Sequence, residues 1–176
     1  VEILQIAITG PVGAGKTSFV RAISEIDVVD TERRATDATA FMKPTTTVAL
    51  DFGRLTLDAE RALYLYGTPG QFRFDFMWDL IVSKAHAYIL LLAAHRPQDF
   101  RSGQHILNFI NQLVQIPMIV GLTHTDCEGA WDPDDIALAL GFPLLECPPI
   151  VSVNATDPSS VVRCLLVLLQ QLSSAA

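Results

Sequence analysis

Residues 10–18 read "GPVGAGKTS", and this stretch decides the fold. Gly10, Gly15, Lys16 and Thr17 fit the pattern GxxxxGK[ST]. The stretch follows "ILQIAIT" (3–9), an apolar run that reads as a buried strand, and it opens a helical pattern over 16–25. Strand, glycine-rich turn and helix in that order form a phosphate-binding loop. Glycine at 13 and 15 lets the backbone curl so that its N–H groups point inward, and the helix N-terminus adds partial positive charge at the same place. Lys16 then supplies a point charge to the outer phosphates and Thr17 a hydroxyl for a divalent cation. Gly10, Gly13, Ala14, Gly15, Lys16, Thr17 and Ser18 are the expected contacts, and the expected ligand is a nucleoside tri- or diphosphate.

Outward from the loop, short apolar runs alternate with helix-length segments. "HAYILLLAA" (86–94), "IPMIVGLTH" (116–124) and "PIVSVNA" (149–155) read as further strands, and "TVALDFGRLTLD" with "RALYLYG" as a hairpin. Helical patterns fall near 98–114, 133–140 and 159–172, the last with an apolar stripe through Val161, Leu165 and Leu168. Strands apolar on both faces and separated by helices predict an α/β fold: three layers, doubly wound, around a mostly parallel sheet of about six strands. The 176 residues suit one domain over 1–176.

Composition excludes several roles. A net charge of −7 with no basic cluster argues against nucleic acid as a partner. Three cysteines at 127, 147 and 164 match no metal-ligand spacing and suit a reducing compartment. The apolar runs are too short to span a membrane, and no signal peptide or lipidation signal is read, so a cytoplasmic protein without a direct membrane anchor is expected.

Four further stretches lie at informative distances: "TTTVALDFG" (45–53), "GTPGQ" (67–71), "THTD" (123–126) and "SVNATD" (152–157). Together with the phosphate loop their order resembles the Ras-like small GTPases, and within them the bacterial MglA-like group, over almost the whole chain. The resemblance implies the small G-protein fold, guanine nucleotide (GTP or GDP) as ligand, Mg²⁺ as cofactor, and slow hydrolysis of GTP in a molecular switch. It implies that Thr47 (with Thr46 beside it) closes over Mg²⁺ with Thr17. Gly70 would offer its N–H to the γ-phosphate, and Gln71 would orient the attacking water. Asp126 would accept the N1 and N2 hydrogens of guanine, and Thr123, His124, Asn154 and Ala155 would complete the base site. A small roadblock-type protein would be the activator.

The chain departs from that pattern in three places. Gly67 stands where the family has an aspartate that holds a magnesium-bound water; Thr123 and His124 replace the usual asparagine and lysine. The hairpin reading lays the strand carrying Asp51 beside the Gly67 strand, which makes Asp51 a candidate to compensate. Arg73 is a candidate for a charge-stabilising arginine in cis, with Arg33, Arg34 and Arg54 as others. "FRFDFMWDL" (72–80) carries more aromatic surface than one helix can bury, so part of it is expected to form a partner surface beside the second switch. The departures keep two alternatives open: a pseudo-GTPase holding nucleotide as a scaffold, and a P-loop kinase acting on a small molecule.

Overall fold

The computed structural model describes residues 1–30, 50–70 and 75–176. The strands are β1 (Glu2–Thr9), β2 (Val29–Asp30), β3 (Asp51–Thr56), β4 (Arg61–Gly67), β5 (Ala87–Ala93), β6 (Met118–Thr123) and β7 (Ile150–Ser152). The helices are α1 (Lys16–Ile23), α2 (Asp75–Val82), α3 (Phe100–Leu113), α4 (Pro133–Ala139) and α5 (Pro158–Ala175). Among the described residues, one sheet contains all seven strands in the order β2-β3-β4-β1-β5-β6-β7. β4, β1, β5, β6 and β7 run parallel, while β3 is antiparallel to β4 and β2 to β3. The expected six strands and the expected hairpin are present; the seventh is the two-residue edge piece β2.

The two apolar layers follow from the period of two along buried strands. Ile6, Ile8, Leu63, Leu65, Ile89 and Leu91 point to one face and pack with Phe19 and Val20 of α1 and Val161, Cys164 and Leu168 of α5. Ala7, Tyr88, Leu90, Leu92, Val120 and Leu122 point to the other, against Trp78 of α2, Ile106 and Ile110 of α3 and Ile136 of α4. Burial pushes the Tyr88 phenol well above its ordinary pKa, and its hydroxyl is satisfied by Asn111 Oδ1 at 2.8 Å.

Local chemistry explains where the helices stop and start. The pattern over 16–25 is cut to α1 because Ser24 turns extended, its hydroxyl donating to the Ile26 carbonyl and accepting from the Arg54 N–H. The last helix begins at Pro158, earlier than its apolar stripe, because the Asp157 carboxylate caps the Ser159 N–H at 3.1 Å and proline suits the first helical position.

The topology switches at β1: the chain adds β4 on one side and β5 on the other. The carboxyl ends of five parallel strands therefore meet at one edge, where open α/β sheets hold their ligands. α2 is tied to that edge by Trp78, fully buried, whose Nε1–H donates to the Pro69 carbonyl at 2.7 Å. Trp78→Phe leaves that carbonyl unsatisfied and opens a void, so urea unfolding should show a loss of about 1–3 kcal/mol; an unchanged midpoint would mean that the contact holds nothing.

Candidate functional site

The phosphate loop takes the shape that its glycines permit. Gly10, Gly13 and Gly15 have φ of 147°, 82° and 102°. A Cβ on Gly10 would lie 2.2 Å from the Leu91 carbonyl oxygen, so the first turn admits no side chain. Lys16 opens α1 and is 9% exposed. Its Nζ donates to the carbonyls of Gly10 at 2.6 Å and Pro11 at 2.7 Å. Burial brings its pKa down to about 8, while the charge of Asp51 pulls the other way. Ser18 is half-buried on the first turn of α1.

Thr17 and Asp51 form the most unusual contact. The Thr17 hydroxyl donates to Asp51 Oδ2 at 2.5 Å, and Asp51 is buried at the start of β3. Asp51 pairs directly with Gly67 across the hairpin, and a Cβ on Gly67 would lie 3.0 Å from Asp51 Cβ and 3.2 Å from its Oδ2. The space above Gly67 is thus filled by the neighbouring strand's carboxylate. A hydroxyl and a carboxylate beside a phosphate loop are the hard oxygen donors that Mg²⁺ takes, one or two from protein and the rest from phosphate and water. Groups of three or more metal-ligating acidic, histidine or cysteine side chains are absent among the described residues.

The β4 end folds back over the loop. The Thr68 N–H donates to the Ile8 carbonyl at 2.8 Å and its hydroxyl to Thr9 Oγ1 at 3.0 Å. Gly70 then lies so close that a Cβ would meet Val12 N at 2.6 Å and Lys16 Nζ at 3.0 Å. Glycine is required there by the approach of two backbones.

On the other flank the β6 and β7 ends join the loop. The Thr123 hydroxyl donates to the Ala14 carbonyl at 2.8 Å and so braces the loop. A Cβ on Gly15 would lie 3.2 Å from Ala155 Cβ and 3.6 Å from Thr123 Cγ2. His124 has φ 57°, and its Nδ1 lies 3.0 Å from Thr123 Oγ1; since that hydroxyl already donates, the imidazole is the donor here. Its ring stacks obliquely on His95 at 4.8 Å, and His95 Nδ1 is buried without a hydrogen-bond partner among the described residues. Thr125 and Ser152 hydroxyls meet at 2.8 Å and join the segments that end β6 and β7. Asn154 Oδ1 accepts from the Thr156 N–H and hydroxyl, which orders the turn carrying Ala155. Asp126 is exposed on the turn after β6.

The structure therefore brings together Gly10, Gly13, Ala14, Gly15, Lys16, Thr17, Gly70, Thr123 and Ala155, and adds Asp51. Thr46, Thr47, Gln71, Arg73, Arg33 and Arg34 lie outside the described residues. Arg54 stands three positions along β3 from Asp51, about 10 Å away, and is exposed. Arg96 was not foreseen: it follows β5, and its Nη1 would be 2.8 Å from a Cβ on Gly13. Only its place just after a buried parallel strand, where ligand contacts gather, signalled it.

A family model described as "conserved hypothetical ATP binding protein" matches residues 26–146, more than two thirds of the chain. The chain belongs to this family. The matched region begins after the phosphate loop, so loop and match are independent observations. No curated protein matches the chain. Among solved structures it is similar to the Arl6 BBS3 small GTPase from Trypanosoma brucei with a bound nucleotide analogue, at 17% identity and a TM-score of 0.70, covering 99% of this chain and all of that one. It is also similar to a bacterial selenocysteine-specific elongation factor, EF-Sec, at 18% identity and a TM-score of 0.70, covering 99% of this chain. The chain spans 29% of that second protein. At these identities the likeness shows the small G-protein fold; fold and family agree on a nucleotide-binding protein.

Lys16 gives that statement a pH signature. Its folded pKa is about 8, so it is charged below that pH and largely neutral a unit above, whereas phosphate binds the charged form. Nucleotide binding should take up most of a proton near pH 9 and little near pH 7, read by calorimetry in buffers of different ionisation enthalpy. Equal uptake at both pH values would contradict this charge state.

Proposed function

We propose that the chain is a guanine-nucleotide switch that hydrolyses GTP slowly to GDP and phosphate. The observation that carries it is the contact of base-side and phosphate-side segments at one point: Ala155 and Thr123 close on Gly15 while Gly70 closes on Lys16. A polyphosphate lying in the loop has its nucleoside end at the Thr123–Asp126 and Asn154–Ala155 turns. Guanine offers N1–H and N2–H donors, both of which the Asp126 carboxylate accepts; adenine presents a lone pair at N1, which that carboxylate repels. In hydrolysis, water held by Gln71 attacks the γ-phosphorus and the bond to the bridging oxygen breaks, with Lys16 facing the charge that develops. Mg²⁺, when bound, would neutralise charge between the outer phosphates. Thr17, Thr47 and Asp51 would hold it, and Arg73 would add charge in cis.

The switch reading includes its partners. Phe76 and Leu80 of α2, both 57% exposed and one turn apart, form an apolar strip beside the second switch, while Trp78 faces the core. That strip suits a protein effector or a roadblock-type activator, the partner that the MglA-like resemblance implies. Cys127, Cys147 and Cys164 are all free, in keeping with a cytoplasmic setting, and no helix among the described residues is long and apolar enough to cross a membrane. The family description favours a second reading, adenosine triphosphate in the same site.

Single-turnover hydrolysis with protein in excess tests the enzyme reading. Slow release of phosphate from GTP, reduced at least about tenfold by Gln71→Ala, is expected. Tight binding with no phosphate release by the wild type would leave a nucleotide-holding scaffold instead.

The metal seat has its own test. Asp51→Ala should weaken Mg²⁺ binding to the GDP complex by about 10- to 100-fold. Gly67→Asp alone should destabilise the hairpin by crowding Asp51, and Asp51→Gly added to it should restore both stability and metal affinity. Unchanged Mg²⁺ affinity in Asp51→Ala would remove Asp51 from the site.

A further inference from the structure

We infer that Arg96 is an anion-binding residue of the phosphate site, set against the Gly13 flank of the loop by Asp99. This rests on the nucleotide-binding reading and goes beyond the residues that reading uses.

The placement follows from local sequence. Arg96 precedes Pro97, which keeps it out of the helical region, and its φ and ψ are −122° and 71°. Its N–H donates to the Ala93 carbonyl at 3.1 Å, and its own carbonyl accepts from the Asp99 N–H at 2.9 Å, so the backbone is fixed on both sides. The side chain turns back towards the loop. Nε lies 3.0 Å from Asp99 Oδ2, an ion pair that holds the guanidinium by charge. Nη1 is the atom that a Gly13 side chain would strike, at 2.8 Å.

An exposed arginine–aspartate pair three residues apart needs no function, and it is worth about 0–1 kcal/mol. Such a pair does not account for a guanidinium laid over a left-handed loop glycine at the end of a buried parallel strand. The Arg96 side chain is 40% exposed, so it is not sealed off from a ligand. A guanidinium fork matches phosphate oxygens bidentately, as a lysine cannot. Lys16 bonds the Gly10 and Pro11 carbonyls of the same loop, so two cations border the loop in which a phosphate chain would lie.

The test is equilibrium binding of fluorescent GDP and GTP to the full chain, with urea unfolding of each variant as a control. Arg96→Gln should weaken binding of both nucleotides by about 10- to 100-fold with little change in the unfolding midpoint. Arg96→Lys should recover part of the affinity, because it keeps the charge and loses the fork. Asp99→Asn should cost a smaller factor, because the guanidinium remains but loses the carboxylate charge that holds it. Wild-type binding matched within about twofold by Arg96→Gln would overturn the inference and leave the nucleotide reading standing. Should Arg96→Gln fail to fold, Arg96→Lys decides, and wild-type affinity in that variant overturns it. A wild-type chain that binds no nucleotide would bring down the functional reading and this inference together.

Discussion

The hydrogen bond from Thr17 to Asp51 ties the phosphate loop to the hairpin, and the rest of the site depends on it. It sets the carboxylate beside the loop's hydroxyl and within electrostatic reach of Lys16. It also explains why position 67 is glycine: a side chain there would contact the Asp51 carboxylate across β3 and β4. A carboxylate displaced from one strand to the next, with a glycine opposite, keeps a single negative charge at the place where two would repel. Gly67 and Asp51, sixteen residues apart in the chain, thus share one space that only one of them fills.

The remaining geometry is a consequence of topology. β1 is the centre of the sheet, and the turns after β1, β4, β5, β6 and β7 meet at one edge. Each contributes a different chemical element: curled backbone from the first, a close-packed glycine from the second, a guanidinium from the third, a threonine brace from the fourth and a small buried alanine from the last. The contacts among them are direct, so the phosphate and base sides of the site are built on one rigid frame. Lys16 shows the cost of that compactness: it is desolvated, held by loop carbonyls, and its charge is only partly offset by Asp51.

Much of this was legible because the physics leaves few choices. A loop that must turn left-handed at 10, 13 and 15 needs glycine there, and runs such as "YILLLA" admit no solvent-facing strand. Asp51 was legible only as far as its strand: reading 47–58 and 61–67 as a hairpin lays the strands together, and the register that sets Asp51 opposite Gly67 is seen only in three dimensions. Thr123 was expected at the site, but its hydroxyl's bond to Ala14 is a contact that no motif states. Arg96 carried no motif at all; its position depends on how Pro97 turns the chain after β5. The aromatic run also divides only in three dimensions, Trp78 inward and Phe76 outward, because helical phase, not composition, decides burial.

The base is the point on which the account is most exposed. Asp126 argues for guanine, and the family's description speaks of ATP. The decisive measurement is equilibrium competition of unlabelled GTP and ATP against one fluorescent nucleotide on the full chain, in Mg²⁺, with Asp126→Asn beside the wild type. The account predicts that GTP displaces the probe at concentrations at least about a hundredfold lower than ATP and that Asp126→Asn removes most of that preference. Displacement by ATP at equal or lower concentration, or a preference indifferent to Asp126, would contradict it.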